Sequence, residues 1–175
     1  MKRFIALFLL FTLLVLPTVG ASTTTVCFSP DGGAERKIVK IIDQAKTFID
    51  LAMYSLTSRV LAQAILRAHK RGVKIKIVLD GNDESEYSKG FYLYKRGIDV
   101  RYTRGKRRQG KKISYGLMHD KFAVVDGVLV LTGSYNWTVS AEKYNYENLL
   151  VVDSLPLIKK YLQEFHRIWS GSFKK

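Results

Sequence analysis

Two β-rich apolar runs, residues 119–125 and 128–132, are separated by Asp126-Gly127 alone. Both residues of that dipeptide tolerate positive φ, which a type I′ turn requires at its two central positions, so the pair predicts a tight β-hairpin. Alternate residues of a strand share a face. His119, Lys121, Ala123 and Val125 therefore form one row. With a two-residue turn, Val125 faces Val128, Lys121 faces Thr132 and His119 faces Ser134. Directly opposed residues hold their Cβ atoms about 4.5–5.5 Å apart. Asn136 keeps the parity of Ser134 if the extended chain continues. The hairpin is thus expected to gather an imidazole, an ammonium, a hydroxyl and a carboxamide at one end of a sheet. Such donors hold phosphate oxygens, and an imidazole can attack phosphorus or carry a proton. Asp126 falls on the opposite phase, and a role in the turn or behind the site is expected for it.

Upstream, residues 26–28 read as a short strand, followed by a turn at Pro30-Asp31-Gly32-Gly33. Ile38, Ile41, Ile42 and Ala45 recur at helical spacing. Residues 48–54 form an apolar run broken only by Asp50. A second helix, capped by Ser55 or Thr57, carries the stripe Leu61, Ala64, Ile65, Ala68 and stops at Gly72. Residues 73–79 alternate as a strand with one wet face. This β–α–β–α–β order favours a sheet with helices packed on it. A polar helix over 84–95, a short strand over 98–102, a strand over 147–152 and a closing helix over 155–169 follow. The expected fold class is α/β, a mixed sheet flanked by helices.

Residues 1–21 stand apart. Lys2 and Arg3 precede an apolar run of about thirteen residues, and Pro17 and Val19-Gly20-Ala21 follow, the pattern of a secretory signal peptide. An uncleaved membrane anchor is the alternative; secretion or periplasmic export is the expected outcome. Residues 22–175 are long enough for one domain and too short for two. The single cysteine, Cys27, allows no internal disulfide, and three histidines make a multi-histidine zinc site unexpected. No cofactor is expected.

Charge points to the partner. Twenty-nine Lys and Arg against 15 Asp and Glu give +14, which suits nucleic acid, an anionic membrane or a cell-wall polymer. Seven cations fall within twelve residues: Arg101, Arg104, Lys106, Arg107, Arg108, Lys111 and Lys112. Most such runs are solvated loops. This one directly precedes the 119–125 strand and contains Gly105 and Gly110, so Arg104 through Lys112 are read as a clamp on a phosphate backbone, which positions a polyanion without reading its sequence. Tyr102 and Tyr115 flank the run and suit either base stacking or packing. His69 and His166 lie on helices, Trp137 and Trp169 suit packing, and Asp50 and Asp80 suit structural hydrogen bonding as well as an active-site edge.

His119-x-Lys121-x4-Asp126, followed by Gly133-Ser134-x-Asn136-Trp137, resembles the phospholipase D superfamily, and more closely its small single-motif bacterial endonucleases. Residues 28–33, 49–57 and 71–80 look like landmarks of the same family. The resemblance implies a metal-independent, two-step reaction through a covalent phosphohistidine, with a second histidine protonating the leaving oxygen. By that match His119 is nucleophile or acid, Lys121, Ser134 and Asn136 hold phosphate, and Glu147 orients and charges a histidine. The larger phospholipases carry two such motifs and this chain carries one. A symmetric homodimer, bringing two copies of His119 together, would supply the second histidine. DNA, and RNA with it, is the expected substrate. Anionic phospholipid is the alternative substrate, and a catalytically silent nucleic-acid-binding module is the alternative from a different class.

Overall fold

The computed structural model describes residues 22–83, 87–110 and 112–173. The expected signal segment 1–21, Lys111 and residues 84–86 of the expected 84–95 helix lie outside them. In chain order the elements are β1 (Thr24–Ser29), α1 (Ala34–Gln44), β2 (Phe48–Met53), α2 (Arg59–Lys70), β3 (Lys74–Asp80), α3 (Lys89–Tyr94), β4 (Asp99–Thr103), β5 (Lys121–Val125), β6 (Leu129–Gly133), α4 (Val139–Lys143), β7 (Glu147–Val152) and α5 (Leu155–Ser170). They build the mixed sheet flanked by helices that the alternating pattern implies.

The sheet has seven strands in the order β1-β7-β6-β5-β2-β3-β4. β2, β3 and β4 run parallel, and the pairs from β2 back to β1 are antiparallel. One face carries α1 and α2, whose Ile38, Ile42, Leu61 and Ile65 pack with Leu51, Ile77 and Ala123. The other face carries α5, whose Ile158, Phe165 and Ile168 cover Val78, Phe122, Val124 and Val130. Burying each such side chain contributes about 1.5–3 kcal/mol.

Two local expectations are corrected, one is narrowed, and one short element is new. The second helix is capped by Ser58, whose Oγ accepts the Leu61 N–H at 3.2 Å, not by Ser55 or Thr57. The polar helix begins only at Lys89, because the Asp83 carboxylate accepts from the Ser88 and Ser55 hydroxyls and ties the preceding chain to the end of β2. β3 is wet only at Lys74 and Lys76, since α5 covers Val78. A short helix, α4, capped by Thr138, was not foreseen.

The hairpin register also differs. Asp126 and Gly127 take positive φ (54° and 68°), and the Val128 N–H donates to Val125 O at 3.1 Å, as a type I′ turn requires. The ladder nonetheless pairs Val125 with Leu129 and Phe122 with Thr132. Val128, 57% exposed, is the extra residue. Both faces of these strands are covered, so alternation of apolar and polar residues could not select the register. Lys121 consequently does not face Thr132, which turns toward α5 and accepts from the Tyr161 hydroxyl at 3.1 Å. His119 precedes β5, so it does not face Ser134 across a ladder.

Topology decides where chemistry can sit. Met53 pairs with Lys121, Phe122 with Thr132, Gly133 with Leu149 and Ser29 with Glu147. The carboxyl ends of β1, β2, β3, β4 and β6 therefore share one edge of the sheet with the amino ends of β5 and β7. Open sheets of this kind place ligands outside their carboxyl ends.

Candidate active site

His119 is held from both sides by backbone bonds. The Met118 N–H donates to Asp80 Oδ2 at 2.7 Å, and the Tyr54 N–H donates to Asp120 O at 3.0 Å. Asp80 is fully buried at the end of β3, and its other oxygen accepts from the Asn82 N–H at 2.9 Å. The imidazole itself is exposed. Its ring packs on Tyr54, with centroids 4.5 Å apart and planes at 59°. Lys121 Nζ lies 3.2 Å from His119 Nδ1, donates to His119 O at 2.8 Å and sits 5.2 Å from the centre of the Tyr54 ring. An ammonium has no lone pair to offer, so Nδ1 is the acceptor in this contact and a neutral imidazole carries its proton on Nε2.

Burial pushes the Lys121 ammonium below the ordinary lysine range, while Glu147 and then Asp120 work against that. Burial likewise pushes the Asp120 carboxyl up, and the charge of Glu164 adds to it. Glu147 accepts from the Asn145 amide at 3.1 Å. The negative charge that the family match assigns to a histidine thus also acts on the neighbouring lysine.

Ser134 and Asn136 leave β6 at the same edge. Gly133, at φ 143°, allows this: a Cβ there would lie 2.2 Å from Asn148 O. Ser134 Oγ accepts from the Asn148 backbone and side-chain amides at 3.1 and 3.3 Å, leaving its own O–H unspent in those bonds. The next turn is laced to the β2–α2 connection: Thr57 and Ser58 N–H groups donate to Trp137 O, and the Trp137 N–H donates to Ser55 O. Asn136 Oδ1 is buried with no hydrogen-bond partner among the described residues. Behind the turn, the Tyr135 hydroxyl donates to Glu142 at 2.8 Å; burial first, and that bond second, push the phenol far above its ordinary range.

A cleft of about 550 Å³ opens beside His119 and Asp120, lined by Arg104 and Lys106 and, from α5, by Glu164 and Arg167. Residues 105–110 and 112–116 belong to an arm, closed by the Gly105 N–H to Gly116 O and Arg108 N–H to Ser114 O bonds, both 2.8 Å. The arm divides the expected clamp. Arg104 and Lys106 line the cleft, whereas Arg107 and Arg108 line a separate depression with Gln109 and Gly110, and Lys112 is exposed. Tyr102 is 2% exposed and packs in the core, so it is unavailable for stacking; Tyr115, 42% exposed, lies 5.8 Å beneath the Arg104 guanidinium.

Asp126 sits at the far end of β5. Its carboxylate accepts from the Lys46, Thr47 and Phe48 N–H groups and the Thr47 hydroxyl at 2.7–3.1 Å, which pins the α1–β2 connection to the hairpin. Tyr54, Asp80, Asn148 and Arg167 are site neighbours; of these the sequence singled out only Asp80, as suiting structural hydrogen bonding as well as an active-site edge. Tyr54 and Asp80 alone carried a signal, a polar end on an apolar strand. Among the described residues no three His, Cys, Asp or Glu side chains converge as a metal-ligand set.

Comparison with known proteins bears on the family and the fold. The family model described as cardiolipin synthase, PLD-like domain matches residues 38–169. The mitochondrial cardiolipin hydrolase of Xenopus tropicalis is 38% identical over 135 residues, which cover 76% of this chain and 60% of that protein. The phospholipase D of Rickettsia typhi is 32% identical over 151 residues, covering 86% and 70%. Among solved structures, NucT from Helicobacter pylori superposes with a TM-score of 0.84 at 26% identity, covering 89% of this chain and 100% of NucT. Nuc from Salmonella typhimurium, a phospholipase D family member, superposes with a TM-score of 0.76 at 31% identity, covering 89% and 99%. With His119, Lys121, Ser134, Asn136 and Glu147 collected at one sheet edge and these relatives spanning most of its length, the chain belongs to the phospholipase D superfamily.

Proposed function

We propose that this protein is a metal-independent phosphodiesterase that cleaves nucleic acid, DNA foremost, as a symmetric homodimer. The observation that carries the choice of substrate is the cleft, which the exposed His119 lines together with Arg104, Lys106 and Arg167. Three cations lining the cleft of the reacting group suit a chain of phosphates, and the arm adds Arg107 and Arg108 in a separate depression. A lipid presents one headgroup and needs an apolar path for its acyl chains; the apolar lining here is limited to Leu117, Met118 and Ile168.

In the first step one His119 imidazole attacks phosphorus. A P–N bond forms, the P–O bond to the leaving nucleotide breaks, and that oxygen takes a proton from the His119 imidazolium of the second copy. Water then attacks the phosphohistidine and gives its proton to the second imidazole, and the P–N bond breaks. Lys121, Ser134 and Asn136 hold the phosphate oxygens, so fixed donors stabilise the charge that develops on them. A single His119-x-Lys121 motif per chain is what calls for the second copy.

Phospholipid cleavage is the second reading, favoured by the printed names of two relatives, a cardiolipin hydrolase and a phospholipase D. One assay separates them. Purified protein in EDTA is offered plasmid DNA, single-stranded DNA, RNA, and vesicles of phosphatidylcholine or cardiolipin, with His119→Ala as control, and its mass is measured by light scattering. Nucleic-acid cleavage by a dimer, abolished in His119→Ala, is expected. Lipid cleavage alone would replace the substrate, a fully active monomer would remove the dimer, and activity restored only by a divalent ion would remove the metal-free step.

A further inference from the structure

The two walls of the cleft beside His119 come from different parts of the fold. Arg104, just before the arm, and Lys106 within it line the cleft together with Glu164 and Arg167 from the last turns of α5. Arg167 Nε donates to Glu164 Oε2 at 2.8 Å, and a second guanidinium nitrogen bonds the other carboxylate oxygen. The pair is solvent-facing, with the Arg167 side chain 71% exposed. Exposed pairs of this sort contribute little to stability. The helix is already anchored by Ile158, Phe165 and Ile168, which are buried against the sheet. The ion pair therefore does little for the fold. It does keep a planar, two-pronged donor at the mouth of the cleft, and that fork fits a phosphate as well as it fits a carboxylate.

We infer that Arg167 is a phosphate-binding residue held in reserve by Glu164: when substrate enters, its guanidinium leaves the carboxylate and, opposite Arg104 and Lys106, holds the phosphate adjoining the one that His119 attacks. The inference rests on the proposed action on a polyanion. It assigns Glu164 a definite part, that of an internal competitor which occupies the fork until a doubly presented phosphate oxygen pair displaces it. It also gives the cleft a selectivity that simple positive charge lacks. A lone monoanion meets a neutralised arginine, whereas a chain of phosphates engages Arg104 and Lys106 first and then competes for Arg167 at high local concentration.

The test exploits opposite signs. A fluorescein-labelled single-stranded oligonucleotide is titrated with His119→Ala protein, alone and combined with Arg167→Gln or Glu164→Gln, over a series of salt concentrations. Arg167→Gln is expected to weaken binding several-fold at low salt and to lower the slope of log K against log salt by about 0.7, the loss of one contact to a single strand. Glu164→Gln is expected to tighten binding two- to five-fold, because the competitor is gone. Thermal melts of all three proteins establish that they are folded. If the two substitutions move the dissociation constant in the same direction, or leave it and the salt slope unchanged, Arg167 and Glu164 merely staple the helix and the inference is overturned while the substrate reading stands. If His119→Ala protein fails to bind the oligonucleotide at low salt, the nucleic-acid reading falls, and this subsite with it.

Discussion

Lys121 Nζ lies 3.2 Å from His119 Nδ1, two residues away along the chain, and 2.8 Å from the carbonyl oxygen of the same histidine. Before a phosphate arrives, the ammonium is thus spent on the residue that is to react. A phosphate oxygen, carrying full charge, is a stronger acceptor than a neutral ring nitrogen. Its arrival draws the ammonium off Nδ1 and frees the ring. Lys121→Ala should therefore reduce kcat by about 10²–10³, the scale for losing one preorganised donor. Single-turnover kinetics on an oligonucleotide would measure it, and an unchanged rate would remove Lys121 from the chemistry.

The pH dependence follows from the same lysine. Burial holds Lys121 below the ordinary range, and Glu147 is the first influence that opposes the shift. Phosphate binding needs the charged ammonium, so activity falls as pH rises through the Lys121 pKa. Removing Glu147 lowers that pKa further. Glu147→Gln is expected to move the alkaline limb of the kcat/KM profile to lower pH, and Asp120→Asn to move it the same way by less. A limb that stays in place in both variants would mean that another group titrates there.

Tyr54 packs on the imidazole face, and Lys121 sits over its ring. The contact is with the ring, and no bond of the hydroxyl contributes to it. Tyr54→Phe should retain most activity, while Tyr54→Ala should lose about tenfold or more in kcat as the imidazole gains rotational freedom. Equal losses in the two variants would point to the hydroxyl instead.

Asp126 is expected to matter for stability rather than turnover. Burial acts to raise its carboxyl, but the Thr47, Lys46 and Phe48 N–H groups and the Thr47 hydroxyl outweigh it and hold the group below the usual carboxylate range. A depressed folded-state value stabilises the fold above the unfolded pKa of about 3.9, and that contribution is lost as pH falls through the folded value. Asp126→Ala should cost on the order of 2 kcal/mol at neutral pH and show a smaller further loss on acidification than the parent. Chemical denaturation at pH 7 and pH 3 would measure both. A variant that melts normally but does not turn over would return Asp126 to the site.

What the sequence determined by itself was local. Periods of 3.6 and 2 located α1, α2 and β3, because each element must bury one face and the spacing of its apolar residues records which. The Asp126-Gly127 turn was legible because few residues accept positive φ. The residues proposed to handle phosphate stand in the sequence as a motif, since their types and spacing survive without any knowledge of where they meet. The hairpin register was not legible. Phe122, Val124, Ala123 and Val125 are all buried, so neither phase is marked as the inner one. Nor could spacing along the chain show that Asp80 holds the backbone beside His119, that Tyr54 buttresses its ring, or that Arg167 completes the cleft from α5. Those relationships join residues 38, 65 and 48 positions from His119 or its neighbours, and only strand order decides such distances. The tertiary structure made a site of the motif by placing the ends of seven strands along one edge, with a helix and a basic arm as its walls.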